Sequence, residues 1–239
     1  MTRSPFKKGI MTAGLGAAWP ICLGYFPIGL SLGVLAQKCG LAPWQTGLMS
    51  LLVFAGGSQF IAIAMLGSGA SMATIVATTF MVNLRHLLMS SALSVHFPGV
   101  SRRFLALFAY GVTDESFGVN MARFNQGGWD RRSALVLNHT ANLTWILSTV
   151  LGAFLGEFIP AGALGIDYAL TGMFICLLVF QLRGPAFVAT AFVAGVCSVI
   201  AYLWLPGNAY IMVASCLAAT FGFCLRRVMG RQGRVLERA

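Results

Sequence analysis

The sequence is short of charged residues, and of acidic residues above all. Charged side chains make up 9% of its 239 residues, with 6 Asp and Glu against 16 Lys and Arg. A soluble domain of this length needs more charge on its surface, so the composition excludes one. Hydrophobic residues account for 58% of the chain and its mean hydropathy is +0.81. These values are typical of an integral membrane protein.

Motifs of catalysis and of nucleotide binding are also missing. The 6 cysteines form no CxxC pair, and no HExxH, GxSxG or phosphate-binding loop occurs. Cysteines within apolar runs usually serve helix packing. We therefore expect no metal site, no cofactor and no ATP-driven step, and we do not expect an enzyme. No internal repeat is evident.

Eight of the 16 basic residues lie near the two termini. Arg3, Lys7 and Lys8 precede the first run, and five arginines follow the last. Cytoplasmic flanks of membrane spans carry such an excess, so this charge predicts cytoplasmic termini rather than a nucleic-acid partner. The first run, 9–36, is too long for a signal peptide and is predicted to be a retained span.

Eight apolar segments can be drawn, at about 9–36, 43–66, 72–97, 104–122, 133–156, 166–182, 185–205 and 208–225. Their lengths favour membrane helices over barrel strands. We predict an all-α polytopic helical bundle of 7–8 hydrophobic segments, forming a single transmembrane domain over residues 1–239. Eight simple crossings place Arg102 and Arg103 outside and the uncharged link 67–71 inside, against the positive-inside rule. One or two segments are therefore expected to be broken or re-entrant.

Glycine and proline in these segments predict special helix geometry. The first run holds two prolines and several glycines, which favour a kinked or interrupted helix, although membrane helices also tolerate both residues. Gly29 with Gly33, and Gly152 with Gly156, form GxxxG pairs that allow close helix contact. In the fifth run Asn138 and Asn142 share one face, where interhelical hydrogen bonding is the favoured interpretation.

Charges lie deep inside two neighbouring runs. Arg85 is near the middle of 72–97, and Asp114 and Glu115 are near the middle of 104–122. At 1.5 Å per residue, Arg85 and Asp114 lie about 18 Å and 15 Å from the short link between the runs, so we predict matching depths near the bilayer midplane. Arg85 is a structural partner of these acids, a clamp for a substrate carboxylate, or both in alternation. One acid then pairs while the other titrates.

Further polar residues lie near the centres of the second and third apolar runs. The second run is interrupted at Gly56-Gly57-Ser58-Gln59, which predicts an opened helix whose backbone meets a small ligand. The alternative is a tight helix crossing in which Ser58 and Gln59 bond to a neighbour. Asn83 lies beside Arg85, and His86 is a further titratable candidate, or else a histidine packed between helices.

Three motifs together resemble a known family. Ala55-Gly-Gly-Ser-Gln-Phe60, Asn83-Leu-Arg-His86 and Thr113-Asp-Glu-Ser-Phe117, in this order and spacing, are similar to those of the AzlC family, the large subunit of branched-chain amino acid exporters. The resemblance implies a multi-pass permease of the bacterial cytoplasmic membrane that exports leucine, isoleucine and valine, and sometimes methionine. It also implies a small hydrophobic AzlD-like partner subunit and an ion or proton gradient as the energy source.

The leading hypothesis is secondary active export of a small apolar amino acid. An intramembrane enzyme using Asp114, Glu115 or His86, and an accessory scaffold subunit, are the alternatives. The residues predicted to bind substrate are Gly56, Gly57, Ser58, Gln59, Asn83 and Arg85, and those predicted to couple an ion or proton are His86, Asp114 and Glu115.

Overall fold

The computed structural model describes residues 5–159, 184–205 and 209–236, with seven single positions between 168 and 182. Within these residues the chain is helical and contains no strand. It divides into two compact units, Met1–Leu170 and Thr171–Ala239. The prediction of a single domain stays a prediction, and the sixth apolar segment, 166–182, lies mostly outside the described residues.

Among the described residues, seven α-helices belong to the first unit and two to the second. The first unit contains α1 (Pro5–Lys38), α2 (Pro43–Leu52), α3 (Gly56–Gly67), α4 (Met72–Leu93), α5 (Arg102–Tyr110), α6 (Asp114–Gln126) and α7 (Arg131–Leu155). The second contains α8 (Pro185–Trp204) and α9 (Ala209–Leu236), which pack on each other. Three described helices are long and apolar enough to cross a membrane, over Gly9–Lys38, Met72–His96 and Pro185–Trp204. The predicted class, an all-α membrane protein, is confirmed.

Helices α1 and α7 run parallel and in close contact. A Cβ on Gly29 would overlap the Ser148 hydroxyl, and one on Gly33 would overlap the Thr149 carbonyl oxygen. Gly152 approaches the backbone of α1 in the same way. The predicted close contact at the GxxxG pairs is confirmed. Of the two predicted alternatives for the first run, an interruption is wrong, since α1 continues through both prolines, and a kink stays a prediction. The packing of α1 along α7 supports the helix where proline removes a bond.

The second apolar segment folds back on itself. Residues 53–55 separate α2 from α3, and α3 returns to the end where α2 begins. The Cys39 thiol, four residues before α2, lies 3.7 Å from the Ile63 carbonyl oxygen, and a Cβ on Gly67 would lie 3.1 Å from Cys39 Sγ. We call α2 and α3 hairpin 1, residues 53–55 its tip, and the end of the unit holding residues 38–42 and 67–71 end A.

The fourth apolar segment is also re-entrant. Residues 111–113 separate α5 from α6, and α6 ends close to the link that precedes α5. The Phe124 ring stacks on His96 with centroids 4.7 Å apart, and Arg131 Nη1 donates to the Pro98 carbonyl at 3.3 Å. We call α5 and α6 hairpin 2, residues 111–113 its tip, and the end holding residues 94–101 and 127–131 end B.

Two sequence predictions are corrected by these hairpins. The second and fourth segments are not simple crossings, because each consists of two short helices that share one end of the unit. The break in the second segment falls at 53–55, so Gly56 to Gln59 form the first turn of α3 and not the interruption itself. The 12 residues of α3 rise about 18 Å, a little over half of a hydrocarbon core roughly 30 Å thick. The tip of hairpin 1 therefore lies near the midplane.

The two hairpins belong to an inverted repeat. Helices α2 and α5 begin at residues 43 and 102, α3 and α6 at 56 and 114, and α4 and α7 at 72 and 131, so every offset is 58 or 59 residues. Hairpin 1 opens at end A and is followed by α4, which runs from end A to end B. Hairpin 2 opens at end B and is followed by α7, which runs back to end A. Inverted repeats of this kind place a site near the midplane, between the halves.

The positive charge of the first unit collects at end B. Arg102, Arg103, Arg123, Arg131 and Arg132 all lie near the ends of hairpin 2 or the start of α7. The start of α1 is at the same end, since the Ser133 hydroxyl donates to the carbonyl of residue 10 at 3.2 Å. The conflict with the positive-inside rule came from treating the hairpins as crossings, and it disappears in this topology.

Candidate functional site

An ion pair joins α4 to the tip of hairpin 2. Arg85 Nη1 lies 2.7 Å from Asp114 Oδ2, and the two side chains are 30% and 28% exposed. The predicted convergence of these charges is confirmed. The sequence placed Asp114 and Glu115 in mid-helix, which is wrong: they are the first two residues of α6.

A capping box closes the start of α6. Thr113 Oγ1 accepts a hydrogen bond from the Ser116 amide at 3.3 Å, and the Ser116 hydroxyl accepts one from the Thr113 amide at 2.9 Å. This reciprocal capping box satisfies donors that a helix start otherwise leaves free. Carboxylates are also favoured there by the helix dipole. The first turn of α6, directly after the tip of hairpin 2, thus presents two acidic side chains, Asp114 and Glu115.

Helix α4 carries unpaired polar atoms, two of them on residues that contact hairpin 2, Arg85 and His86. His86 Nδ1 is 2.8 Å from the Val112 carbonyl oxygen, within the tip. Its other ring nitrogen, the Arg85 Nε and the Asn83 Oδ1 are buried atoms with no hydrogen-bond partner among the described residues. Buried polar atoms are nearly always bonded. This spare capacity is what a polar ligand between α4 and hairpin 2 would use.

The tip of hairpin 1 has the opposite character. The residue before α3 is Ala55, which provides no side-chain acceptor, so the N–H groups of the first turn are uncapped by any side chain. Such a helix start attracts anions. Gly56 lies against the Trp145 ring, where a Cβ would approach to 3.0 Å.

The side chains of Ser58 and Gln59 bond within the protein. The Ser58 hydroxyl donates to the Ala55 carbonyl at 2.9 Å. The Gln59 amide donates to Ser50 Oγ at 3.0 Å and accepts from Trp145 Nε1 at 2.8 Å. The alternative interpretation, in which Ser58 and Gln59 bond to a neighbouring helix, is therefore confirmed for Gln59 and wrong for Ser58. What the first turn of α3 leaves for a ligand is its backbone.

Each long helix of the repeat contacts the tip of the other half. His86 of α4 bonds to hairpin 2, and Trp145 of α7 packs on hairpin 1. These two residues are themselves 59 positions apart, the offset of the repeat. Because α4 contacts hairpin 2 and α7 contacts hairpin 1, both tips lie in the middle of the first unit.

The asparagines of α7 serve helix packing. Asn138 Nδ2 donates to the Phe108 carbonyl at 3.2 Å, and its Oδ1 accepts from Asn120 Nδ2 at 2.9 Å. Both bonds fasten hairpin 2 to α7, and the favoured interhelical interpretation is confirmed. Asn142 lies 3.5 Å from the Tyr110 hydroxyl, which also donates to the Leu51 carbonyl beside the tip of hairpin 1.

The region that contains both hairpins matches a family model. The model describes the AzlC protein and matches residues 20–159, from the middle of α1 to the end of the first unit's described part. The chain belongs to the AzlC family. The AzlC match covers the whole inverted repeat and every predicted site residue.

Several curated relatives match over most of the chain. The inner membrane protein YgaZ of Escherichia coli (strain K12) is 28% identical over 209 residues, covering 84% of this chain and 85% of its own. The branched-chain amino acid transport protein AzlC of Bacillus subtilis (strain 168) is 26% identical over 200 residues, covering 82% and 77%. An uncharacterized membrane protein of Archaeoglobus fulgidus is 29% identical over 181 residues, covering 74% and 78%. No solved structure matches the chain significantly.

Membership of the AzlC family makes this chain a membrane transport protein. Two residues at the centre of its site were not singled out from the sequence. Tyr25 and Trp145 contact the hairpin tips, but both are aromatic residues within apolar runs, where nothing distinguishes them from residues that face lipid.

Proposed function

We propose that this chain is a secondary active transporter that exports branched-chain amino acids, leucine, isoleucine and valine and also methionine, across the bacterial cytoplasmic membrane. A small hydrophobic AzlD-like subunit is its proposed partner. The Bacillus subtilis relative, named as a branched-chain amino acid transport protein, supports the substrate class. The observation that carries the proposal is the meeting of two re-entrant tips of opposite chemical character beside a half-buried ion pair.

The two tips suit the two charged ends of an amino acid. The first turn of α3 provides backbone N–H groups at Gly56 and Gly57, which favour a carboxylate. The first turn of α6 provides Asp114 and Glu115, which favour an ammonium group. Apolar residues around the tips, such as Phe54, are suited to a branched aliphatic side chain.

We propose the same residue roles for substrate binding and for coupling. Arg85 is both the structural partner of Asp114 and, through its unpaired Nε, a donor for substrate. The proposed substrate-binding residues are Gly56, Gly57, Ser58, Gln59, Asn83 and Arg85, and the proposed coupling residues are His86, Asp114 and Glu115.

The inverted repeat supports an alternating-access mechanism. Hairpin 1 reaches the midplane from end A and hairpin 2 reaches it from end B, so each hairpin separates the site from one side of the membrane. The basic residues at end B support a cytoplasmic position for that end under the positive-inside rule. A gradient drives the cycle, because transport against a concentration difference needs an energy source.

Counterflow in proteoliposomes tests the proposal. The chain is reconstituted with its small subunit, loaded with unlabelled leucine or valine, and assayed for uptake of the labelled amino acid. We expect exchange in the wild type, its loss in Arg85→Ala, and normal exchange in Arg103→Ala, which removes an exposed arginine of end B.

Other outcomes contradict specific parts of the proposal. Full exchange by Arg85→Ala refutes the role of Arg85. Full exchange by the small subunit alone makes this chain an accessory scaffold. Exchange of cationic or aromatic amino acids but not of leucine, isoleucine or valine refutes the substrate class.

A further inference from the structure

Tyr25 of α1 contacts both hairpins. Its side chain is buried, and its hydroxyl oxygen lies 2.6 Å from Glu115 Oε2 and 2.7 Å from Thr113 Oγ1, both at the start of α6. Its ring meets the ring of Phe54, in the tip of hairpin 1, and that of Trp145 on α7, with centroids 6.2 Å and 5.3 Å apart. One side chain thus joins the two tips.

The two acids of α6 have different partners. Asp114 is paired with Arg85 at 2.7 Å. Glu115 has no cation within salt-bridge distance among the described residues, and the Tyr25 hydroxyl is its hydrogen-bond donor. A phenol has one proton, so when Tyr25 donates to Glu115 its oxygen is left to accept from Thr113. The charge of Glu115 is therefore stabilised by a hydrogen bond rather than by an ion pair.

Charged and titratable groups face Glu115 from the helices packed around it. Arg85 and His86 come from α4, Asp114 precedes it on α6, and Tyr25 comes from α1. On α7 the titratable side chain at this height is His139, whose ring packs on a tyrosine of α5 instead, with centroids 6.2 Å apart. Because Arg85 is occupied by Asp114, Tyr25 is the neighbour that depends most directly on the charge of Glu115.

We infer that Tyr25 is a positioning residue that links the protonation of Glu115 to the packing of hairpin 2 on α1. The inference rests on the proposed function, with protons as the coupling ion. A hydrogen bond to a carboxylate is roughly twice as strong as one to a neutral carboxyl group. With Glu115 charged, the bond holds the start of α6 against α1. Once Glu115 takes a proton, the bond weakens and the tip of hairpin 2 separates from α1, while Asp114 stays paired with Arg85.

The pH dependence of transport tests this link. Tyr25→Phe removes the hydroxyl and keeps the ring against Phe54 and Trp145. We expect the pH midpoint of leucine counterflow to move upward by about 0.5–1 pH unit, because the carboxylate loses the donor that stabilises its charge. Tyr110→Phe is the matched control, since it removes a tyrosine hydrogen bond to the carbonyl of Leu51, which does not titrate. A midpoint that is equal in Tyr25→Phe and wild type overturns the inference.

A labelling experiment tests the same link without transport. Val112 is fully buried in the tip of hairpin 2, and Val112→Cys in a cysteine-free chain reports the opening of that tip to a water-soluble maleimide. Rates are divided by those of the exposed Asn125→Cys at each pH, which removes the pH dependence of the thiol chemistry. We expect severalfold faster relative labelling at acidic than at alkaline pH. With Tyr25→Phe added, we expect fast labelling of Val112→Cys at both acidic and alkaline pH. With Tyr110→Phe added instead, we expect the same pH dependence as in the chain that keeps Tyr110.

The two experiments separate the inference from the proposed function. The inference is overturned, even if leucine is transported, when the relative labelling rate does not change with pH. It is also overturned when Tyr25→Phe does not alter that pH dependence. If the expected labelling pattern is found and the wild type exchanges no branched-chain amino acid, the proposed function fails and the link between Tyr25 and Glu115 stands.

Discussion

Arg85 and Asp114 form a pair whose members depend on each other for stability. Arg85→Met leaves the carboxylate of Asp114 at membrane depth with its cation removed. We expect the free energy of unfolding to fall by about 1–3 kcal/mol, less than for a fully buried pair, because both side chains are nearly a third exposed. Thermal unfolding in detergent measures the change, and Arg103→Met at the exposed surface of end B is the control, with an effect within about 0.5 kcal/mol.

A double variant shows whether the pair itself matters. Arg85→Met with Asp114→Asn removes both charges, so no uncompensated charge remains. We expect the double variant to be more stable than the sum of the two single changes indicates. Additive effects would mean that each residue acts through separate neighbours, and the ion pair would then have no structural role.

Charged residues in this protein were easy to find from the sequence, and aromatic ones were not. Arg85, Asp114 and Glu115 stand out because the apolar runs contain so few charges. Tyr25 is one of 5 tyrosines and Trp145 is one of 5 tryptophans, and the chain also has 18 phenylalanines, so residue type does not distinguish them. Which aromatic rings face the site depends on how α1 and α7 are rotated, and that follows from packing rather than from residue type.

The hydropathy of the sequence does not reveal the two hairpins. A pair of re-entrant helices of 10 and 12 residues, separated by Val53, Phe54 and Ala55, reads as one apolar run of the length of a membrane span. The tip of hairpin 2 is equally inconspicuous. The positive-inside rule indicated that some segments were re-entrant without indicating which. The Gly56-Gly57 pair indicated a break in the second segment, a few residues after its actual position, and no such pair marks the break in the fourth.

The inverted repeat is absent from the sequence because the halves have diverged in chemistry. At the start of the second helix of each hairpin, Gly56 and Gly57 in one half correspond to Asp114 and Glu115 in the other. Ser58 and Ser116 are the same residue at the same position. The repeated backbone therefore supports two helix starts of different chemistry. The start of α3 offers N–H donors, and the start of α6 offers acidic side chains.

The contact between α1 and α7 gives a prediction for two glycines of one helix. Gly33→Ala places a methyl group on the Thr149 carbonyl oxygen, a backbone atom that cannot rotate away. We expect a loss of stability of about 1–3 kcal/mol or more, measured by thermal unfolding in detergent. Gly16→Ala is the matched control, because its Cβ meets nothing within 4 Å, and we expect it to be neutral or up to about 1 kcal/mol more stable. Equal melting temperatures would contradict the close packing of α1 on α7.

At the scale of the whole molecule, topology and charge agree only when both hairpins are re-entrant. End B then carries the start of α1 and five arginines of the first unit, while end A has Lys38 as its one cation among the described residues there. A charge difference of this size orients a membrane protein. The fold that forms the site therefore also predicts end B as the cytoplasmic end of the first unit.

Site-directed labelling in intact cells distinguishes hairpins from crossings. In a cysteine-free chain, single cysteines replace Trp44 and Leu66 at the two ends of hairpin 1, and Arg103 and Asn125 at the two ends of hairpin 2, all of which are exposed. We expect a membrane-impermeant maleimide to label the first pair from outside and the second pair only after the cells are opened, because each hairpin begins and ends on one side. If the two ends of one segment label from opposite sides, that segment crosses the membrane. The inverted repeat, and the meeting of the two tips at the midplane, would then be wrong.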